Sequence, residues 1–231
     1  MADPNIEILA KVAHALGELR ERMTFVGGCA TGLLITDPGA SPVRATQDVD
    51  AVVAVVSLAD YHQLGAALRA IGFAQPLEEG APVFRWSMAD LKLDVMPSDP
   101  GILGFSNRWY GHAMRHAFKV RLAGDVEIRV ADAPSFIATK LEAFLDRGAG
   151  DYLSSHDLED VLSIVDGRPE LVAELRAADP ELHAFVRATI ARLLADEGFL
   201  NALPGLVLDG SPAVRTPIVL DRLRQLAGLA N

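Results

Sequence analysis

The chain has 231 residues, half of them hydrophobic, and its 31 acidic side chains outnumber 21 basic ones to give a net charge of −10. This length is enough for one large or two small domains with a buried core. The acidic balance argues against tight nonspecific binding to nucleic acid, which depends on many Lys and Arg contacts to phosphates. A local basic patch remains compatible with the net charge.

The N-terminal segment and the cysteine content indicate a cytoplasmic protein outside the membrane. No apolar run approaches the roughly 20 residues of a membrane-spanning helix. Charges are spread through the first residues, MADPNIEILAKVAHALGELRERM, which argues against a signal peptide. A single cysteine, Cys29, excludes an intramolecular disulfide and a multi-cysteine zinc site. A reducing cytoplasm is therefore the expected location.

Apolar spacing predicts helices and strands in alternation over residues 1–132. Ser57, with Asp60 three residues later, is typical of a capped helix start. Gly124-Asp125 predicts the turn of a hairpin. The predicted helices cover residues 5–19, 29–35 and 58–71, and the predicted strands cover 23–26, 48–56, 83–87, 91–95, 118–122 and 126–130.

After Pro134 the pattern becomes helical, which predicts a second domain. Its predicted helices cover residues 136–145, 158–165, 171–176, 182–194 and 218–226. We therefore expect an α+β protein with a mixed β-sheet core and an N-terminal helix in residues 1–132. A helical domain would follow in residues 133–231, with the boundary near residues 131–134.

Three aspartates on two predicted strands form the candidate reactive site. Asp48 and Asp50 are separated by one residue on a strand, so both side chains leave the same face. Asp94 lies late in a separate strand, LKLDVMP. Carboxylates crowded on one face repel each other, and a hard cation such as Mg²⁺ or Mn²⁺ relieves that repulsion. Three acids on adjacent strands could hold two such ions, as in-line phosphoryl transfer requires.

A glycine pair, Gly27-Gly28, lies about 20 residues before the first of these aspartates. It follows one predicted strand and precedes a predicted helix. Glycines at such a position let backbone N–H groups approach a phosphate, and a helix N-terminus favours negative charge. Either feature alone is compatible with a tight turn that binds nothing, and a lone Asp-x-Asp pair occurs on many solvated strands.

The order of these segments resembles a known superfamily. FVGGCATGLLI, then RATQDVDAVV, then LKLDVMP resemble the nucleotidyltransferases of the polymerase-beta type. The downstream stretch ATKLEAFLDRGAGDYLSSHDLEDVLSIVDGR resembles more narrowly the AbiEii-like nucleotidyltransferases, toxins of bacterial toxin–antitoxin pairs. The resemblance covers about residues 24 to 168. Residues 169–231 carry no motif that we can place.

The resemblance implies roles for residues in the sheet core. Gly27 and Gly28 would bind the triphosphate of a nucleoside triphosphate (NTP) substrate. Asp48 and Asp50 would be ligands of Mg²⁺ or Mn²⁺. Asp94 would be a third metal ligand and the general base for an attacking hydroxyl group. All three aspartates would therefore be catalytic.

The resemblance also implies nucleotide-binding residues outside the aspartate set. Lys140 would contact the triphosphate, and Asp157 and Thr46 would lie beside the nucleotide. His156 stands where the family often has lysine, so a second phosphate-binding cation would be weaker or pH-dependent here. Without the family, Lys140 is compatible with a surface lysine that covers apolar neighbours. Asp157 is likewise compatible with a helix N-terminus.

The expected function is metal-dependent transfer of a nucleotide from an NTP to an acceptor hydroxyl group. By resemblance the acceptor would be tRNA or a protein, and a cognate antitoxin would be a partner. The acidic charge leaves open a small-molecule acceptor such as an aminoglycoside. Two alternatives use the same residues: a binding module that senses a nucleotide or a partner without turnover, and a metal-dependent phosphohydrolase.

Overall fold

The computed structural model describes residues 3–78, 80–148, 150–207 and 212–229. It confirms the predicted α+β fold class, with helices and one six-stranded mixed sheet in that part of the chain. The chain divides into two compact units. The sheet unit comprises Met1–Ala30 and Ala45–Asp132, and the helical unit comprises Thr31–Arg44 and Ala133–Asn231. Thr31–Arg44 therefore groups with the helical unit, although the predicted boundary assigns it to the first domain.

The sheet has the strand order β3-β4-β2-β1-β6-β5. The strands are β1 Met23–Val26, β2 Asp48–Val53, β3 Arg85–Met88, β4 Leu91–Pro97, β5 Phe118–Leu122 and β6 Val126–Val130. β2 pairs in parallel with β4, and β1 in parallel with β6, whereas the β1–β2, β3–β4 and β5–β6 pairs are antiparallel. All six predicted strands are confirmed within a few residues.

Helices α1, α3, α4 and α5 belong to the sheet unit. They cover Pro4–Leu16, Leu58–Ala70, Pro100–Leu103 and Tyr110–Arg115. The α1 helix begins where the Asp3 side chain accepts a hydrogen bond from the Asn5 N–H, with Pro4 in its first turn. It ends earlier than predicted, because the chain continues as a 3₁₀ helix over Gly17–Arg22. Ser57 caps α3 as predicted, through its contact with the Asp60 N–H.

The helical unit contains α2 Thr31–Leu34, α6 Ala133–Gly148, α7 His156–Gly167, α8 Leu171–Ala177, α9 Pro180–Leu194, α10 Glu197–Leu206 and α11 Pro212–Leu226. The α10 helix was not predicted from the sequence. Its start carries a signal, since the Asp196 side chain accepts hydrogen bonds from the Gly198 and Phe199 N–H groups. Among the described residues no helix is both long and apolar enough to cross a membrane.

Contacts with the end of α7 explain why Thr31–Arg44 belongs to the helical unit. The carbonyl of Gly167 accepts hydrogen bonds from the N–H groups of Thr36 and Asp37, each 2.9 Å long. Arg168 donates to the carbonyl of Leu34 at 2.7 Å. A Cβ atom on Gly167 would lie 2.8 Å from Ile35, so only glycine permits this approach. Hydrogen bonds to the end of α7 thus hold the segment Thr31–Arg44, and no local sequence pattern predicts them.

One buried side chain fastens α3 to the strand that carries Asp94. The Tyr61 hydroxyl donates a hydrogen bond of 2.9 Å to the carbonyl of Val95, in β4. Burial raises the pKa of Tyr61 to about 12, and the negative charge of nearby Asp94 adds to the increase. The neutral phenol is therefore the form that the folded protein prefers.

We expect Tyr61→Phe to lower the free energy of unfolding by about 1 kcal/mol near neutral pH, because one buried hydrogen bond is lost. Since the folded-state pKa of about 12 exceeds the ordinary value of 10.0, the stability that Tyr61 contributes is complete below pH 10. It is then lost as the pH rises toward 12. Urea denaturation of both proteins at pH 8, 10 and 11.5 measures this. An advantage of wild type that stays constant up to pH 11.5 would contradict it.

Candidate functional site

Strand register brings the three predicted aspartates together in the sheet unit. In the parallel pair of β2 and β4, Asp50 lies directly opposite Asp94. Asp48 and Asp50 are both half-buried, and the residue between them is fully buried, so the two acids share one face. Asp94 is 4% exposed. Because neighbouring strands lie about 4.8 Å apart, the three carboxylates converge on a small area.

The carboxylate of Asp48 is oriented by two polar residues. The Thr46 hydroxyl donates a hydrogen bond of 2.8 Å to Oδ1 of Asp48. The backbone N–H of Thr46 in turn donates to Oδ1 of Asn5 at 2.9 Å. Asn5 is completely buried in α1. Thr46 thus orients the carboxylate of Asp48. Its predicted contact with the nucleotide stays a prediction. The role of Asn5 was not predicted from the sequence. The feature that could have indicated it is a polar side chain at a helical position that is buried.

Gly27 lies against the carboxylate of Asp50. The last residue of β1, Val26, is the register partner of Asp50. Gly27 follows with a φ of 74°, which turns the backbone over the sheet. A Cβ atom at this position would lie 1.9 Å from Oδ2 of Asp50. Glycine is therefore required twice here, by the left-handed backbone and by the space that Asp50 occupies.

The helix predicted after the glycine pair is much shorter than expected. Gly28–Ala30 forms a 3₁₀ turn, and α2 is a four-residue helix that belongs to the other unit. The prediction of a helix over residues 29–35 is therefore wrong in length. A single turn aligns few peptide dipoles, so a helix dipole contributes little to anion binding at this position. Gly27 and Gly28 stay predicted nucleotide-binding residues through their backbone alone.

Arg85 binds two of the three aspartates. It lies opposite Asp94 in the antiparallel pair of β3 and β4. Its Nε donates to Oδ1 of Asp94 at 2.8 Å, and one terminal nitrogen donates to Oδ2 of Asp94 at 2.7 Å. The same nitrogen donates to Oδ2 of Asp48 at 3.0 Å. Arg85 was not predicted from the sequence, although the short β3–β4 connection would have paired it with Asp94.

The electrostatics of the site remain acidic despite this arginine. The hydrogen bonds to Asp94 raise the pKa of Arg85 above its ordinary value, with further contributions from the charges of Asp94, Asp48 and Asp50. Three carboxylates and one guanidinium carry a formal charge of −3 + 1 = −2. A site with this balance attracts cations.

The donor set fits a hard divalent cation at one aspartate pair. Asp48 and Asp50 supply carboxylate oxygens from one face, and Mg²⁺ binds proteins through one or two carboxylates plus substrate phosphates. The full set of three does not fit in the same way, because both oxygens of Asp94 accept hydrogen bonds from Arg85. Within the described ranges, no group of three or more His, Cys, Asp or Glu side chains is arranged to hold a metal ion.

Lys140 and Asp157 contact each other in the helical unit. The amino group of Lys140, on α6, lies 3.3 Å from Oδ1 of Asp157 and 2.6 Å from Oδ2 of Asp160, both on α7. Only 12% of the Lys140 side chain and 3% of the Asp160 side chain are exposed. Lys140 is therefore a largely enclosed cation between two carboxylates, and its amino group also lies 5.8 Å from the centre of the Phe136 ring.

Further charges extend this ion-pair network. Arg147 contacts Asp157 at 2.8 Å, and Arg44 contacts Asp160 at 3.6 Å. Arg44 also lies 3.3 Å from Glu159. The α7 helix begins at His156, with Ser155 as its cap, so the helix start predicted around Asp157 is confirmed. The nucleotide roles of Lys140 and Asp157 stay predictions.

The fold is similar to that of solved structures of low sequence identity. JHP933 from Helicobacter pylori is 14% identical and has a TM-score of 0.51, with 99% of this chain and 92% of that chain covered. A structure from H. pylori that is provisionally classed as a nucleotidyltransferase is 14% identical, with a TM-score of 0.50 over 98% and 92% of the two chains.

An antigenic nucleotidyltransferase-like protein from Paracoccidioides brasiliensis is 18% identical, with a TM-score of 0.44 over 80% of this chain and 92% of that chain. No protein-family model matches this chain, and no curated protein does. The likeness to the second H. pylori structure shows that the two chains share a fold.

Substituting Gly27 should disturb the aspartate site beyond its effect on the backbone. We expect Gly27→Ala to lower the free energy of unfolding by more than the roughly 1–2 kcal/mol of a left-handed non-glycine residue, because the new Cβ atom displaces Asp50. Gly124→Ala is the matched control, since Gly124 has a similar φ of 78° and no atom within 4 Å of the position that its Cβ atom would take. Chemical denaturation compares them. Equal losses would show that Asp50 does not crowd Gly27.

Removing the charge of Lys140 should cost far more stability than removing that of an exposed lysine. Lys140→Met leaves Asp157 and Asp160 without their shared cation, so we expect a loss of about 3 kcal/mol. Lys119 pairs with Glu127 at 2.6 Å but is 71% exposed, and Lys119→Met should cost less than about 1 kcal/mol. Urea denaturation of both variants tests this, and similar losses would show that the Lys140 network is effectively solvated.

Proposed function

We propose that this protein transfers a nucleotide from an NTP to an acceptor hydroxyl group, with Asp48, Asp50 and Asp94 at the reaction centre. The observation that carries the proposal is the β2–β4 register, which sets Asp50 beside Asp94 within a nucleotidyltransferase-like fold. Gly27 adds support, because only glycine lets the backbone approach the Asp50 carboxylate this closely. Backbone N–H groups at such an approach suit a triphosphate.

Asp48 and Asp50 are the proposed ligands of a Mg²⁺ or Mn²⁺ ion. When bound, such an ion would offset the negative charge that develops on the phosphates during transfer. The protein prepares this pair through Thr46, whose hydroxyl holds one oxygen of Asp48. Asn5 fixes Thr46 from the buried side. These contacts set the direction of the Asp48 carboxylate before any ligand arrives, which lowers the cost of binding.

Asp94 is the proposed general base for the acceptor hydroxyl group. In the structure both of its oxygens accept hydrogen bonds from Arg85. To take a proton, Asp94 would exchange one of these hydrogen bonds for one from the acceptor. Arg85 would then stabilise the remaining carboxylate oxygen and hold the side chain in place. Lys140 and Asp157 are proposed to contact the nucleotide, as the AbiEii-like resemblance implies.

The proposed acceptor is tRNA or a protein, and the proposed setting is the cytoplasm, where a cognate antitoxin would bind the enzyme. These finer assignments follow the AbiEii-like resemblance of residues 24 to 168. A small-molecule acceptor is the alternative within the same chemistry, and the net charge of −10 favours it over a large polyanion.

A second candidate function is a nucleotide-binding module without turnover. The observation that favours it is that the Arg85 guanidinium donates hydrogen bonds to both oxygens of Asp94, the proposed general base. The two functions differ in metal dependence and in product. A binding module would retain NTP affinity without divalent cations and would label no acceptor.

The deciding experiment incubates the protein with each of four α-³²P-labelled NTPs, Mg²⁺, and tRNA, protein or aminoglycoside acceptors. We expect wild type to label one acceptor class, and Asp48→Asn to reduce that labelling at least 100-fold, because a cation ligand is lost. Asp125→Asn is the matched control; Asp125 lies on the β5–β6 turn with its side chain 81% exposed, so full activity is expected.

The outcomes separate the candidate functions. Labelling that survives Asp48→Asn would contradict the proposed role of the aspartates. NTP binding without labelled acceptor would favour the binding module. Release of free phosphate or nucleoside monophosphate, again without labelled acceptor, would identify a phosphohydrolase instead.

A further inference from the structure

We propose that Arg85 takes the place of a divalent cation between Asp48 and Asp94, so that this chain binds one divalent cation where its three aspartates could hold two. The inference rests on the proposed function, because it concerns the same aspartate site. It adds a positioning residue that the sequence motifs do not contain. It also assigns the single cation to the Asp48–Asp50 pair.

The geometry of Arg85 spans three strands. Its backbone is in β3, Asp94 is in β4 and Asp48 is in β2. A purely structural cross-strand pair would need only the directly opposite residue, Asp94. Arg85 instead reaches across β4, and one terminal nitrogen donates to both carboxylates, at 2.7 Å and 3.0 Å. A single positive group thus bridges two acids on neighbouring strands, as a bridging metal ion would.

The oxygens that Arg85 engages are those a second cation would need. Both oxygens of Asp94 and one oxygen of Asp48 accept hydrogen bonds from its guanidinium. The other oxygen of Asp48 accepts a hydrogen bond from the Thr46 hydroxyl group. Because this hydroxyl group is uncharged, it does not repel a cation bound at Asp48. The planar fork of arginine matches a carboxylate in a way that a spherical ion cannot.

Burial favours the arginine over an ion at this position. The Asp94 side chain is 6% exposed, whereas that of Asp48 is 37% exposed. Mg²⁺ gives up its water reluctantly and usually keeps several water molecules. A hydrated ion is therefore better accommodated at the half-buried Asp48–Asp50 side of the site. The guanidinium is more weakly hydrated than an ammonium group and suits the enclosed Asp94 side.

The test counts Mn²⁺ ions per chain by equilibrium dialysis in the absence of NTP. We expect wild type to bind one ion and Arg85→Ala to bind two, because the bridge between Asp48 and Asp94 is removed. Arg85→Lys keeps the charge and should bind one. Arg69→Ala is the control for loss of an arginine from the same unit, since its guanidinium contacts the Trp86 ring and Gln75 rather than the acids. It should bind one ion.

A second variant decides the question if Arg85→Ala does not fold, as monitored by circular dichroism. Because Asp94 is held by Arg85 and not by a cation, Asp94→Asn in the otherwise wild-type chain should leave the count at one. If Arg85→Ala does fold, the double variant Arg85→Ala, Asp94→Asn should lose the second ion again. A fall in the count on Asp94→Asn alone would overturn the inference, as would any count other than one in wild type or no gain in folded Arg85→Ala.

These outcomes are distinct from failure of the proposed function. A protein that gains an ion in Arg85→Ala but labels no acceptor would support the role of Arg85 and contradict nucleotidyl transfer. A protein that labels an acceptor and binds two ions as wild type would support nucleotidyl transfer and overturn the role of Arg85.

Discussion

The mutual repulsion of three carboxylates is the constraint around which the sheet unit is built. The β2–β4 register places Asp50 opposite Asp94, with Asp48 two residues away on the same face. Like charges about 5 Å apart repel by roughly 3 kcal/mol at an effective dielectric constant of about 20, so such an arrangement needs a compensating cation. Arg85 supplies part of that compensation from within the chain. What remains is a net acidic site that is partly open to solvent at Asp48.

The surroundings of the aspartates hold their direction as well as their charge. Asn5 is buried in α1 and binds the backbone of Thr46, whose hydroxyl binds Asp48. On the other side, Gly27 turns so closely over Asp50 that no side chain fits between them. The first helix and the first strand thus contribute to a site whose acids lie on later strands. Such preorganisation is characteristic of sites that bind charged ligands, because the groups do not have to be reoriented on binding.

The helical unit shows a different treatment of buried charge. Lys140 lies between Asp157 and Asp160, and both acids also contact arginines. Each of these three charges has a partner of the opposite sign, which is what the low dielectric of a protein interior requires. Lys140 is therefore not a simple surface lysine, and its amino group lies 5.8 Å from the centre of the Phe136 ring. A phosphate that binds Lys140 would compete with two carboxylates for the same amino group.

The fold class, the six strands and the convergence of Asp48, Asp50 and Asp94 could all be predicted from the amino-acid pattern. Period-two and period-3.6 patterns report directly which faces are buried, so β1, the β5–β6 hairpin and most helices were predictable. The glycine pair and the shared strand face of Asp48 and Asp50 could also be predicted. Both features depend only on residues that are close together in the sequence. The fold shared with the second H. pylori structure agrees with the fold class that the pattern indicated.

Packing in three dimensions was needed to identify the side chains that compensate those acids and the contacts that hold Thr31–Arg44. Arg85, Asn5 and Asp160 act through partners that are distant along the chain or depend on strand register, and the local pattern carries neither. The short helix after Gly28 is another case, because the backbone there bonds to Gly167 rather than continuing its own turns. Long-range hydrogen bonds and ion pairs follow from packing, which local periodicity does not encode.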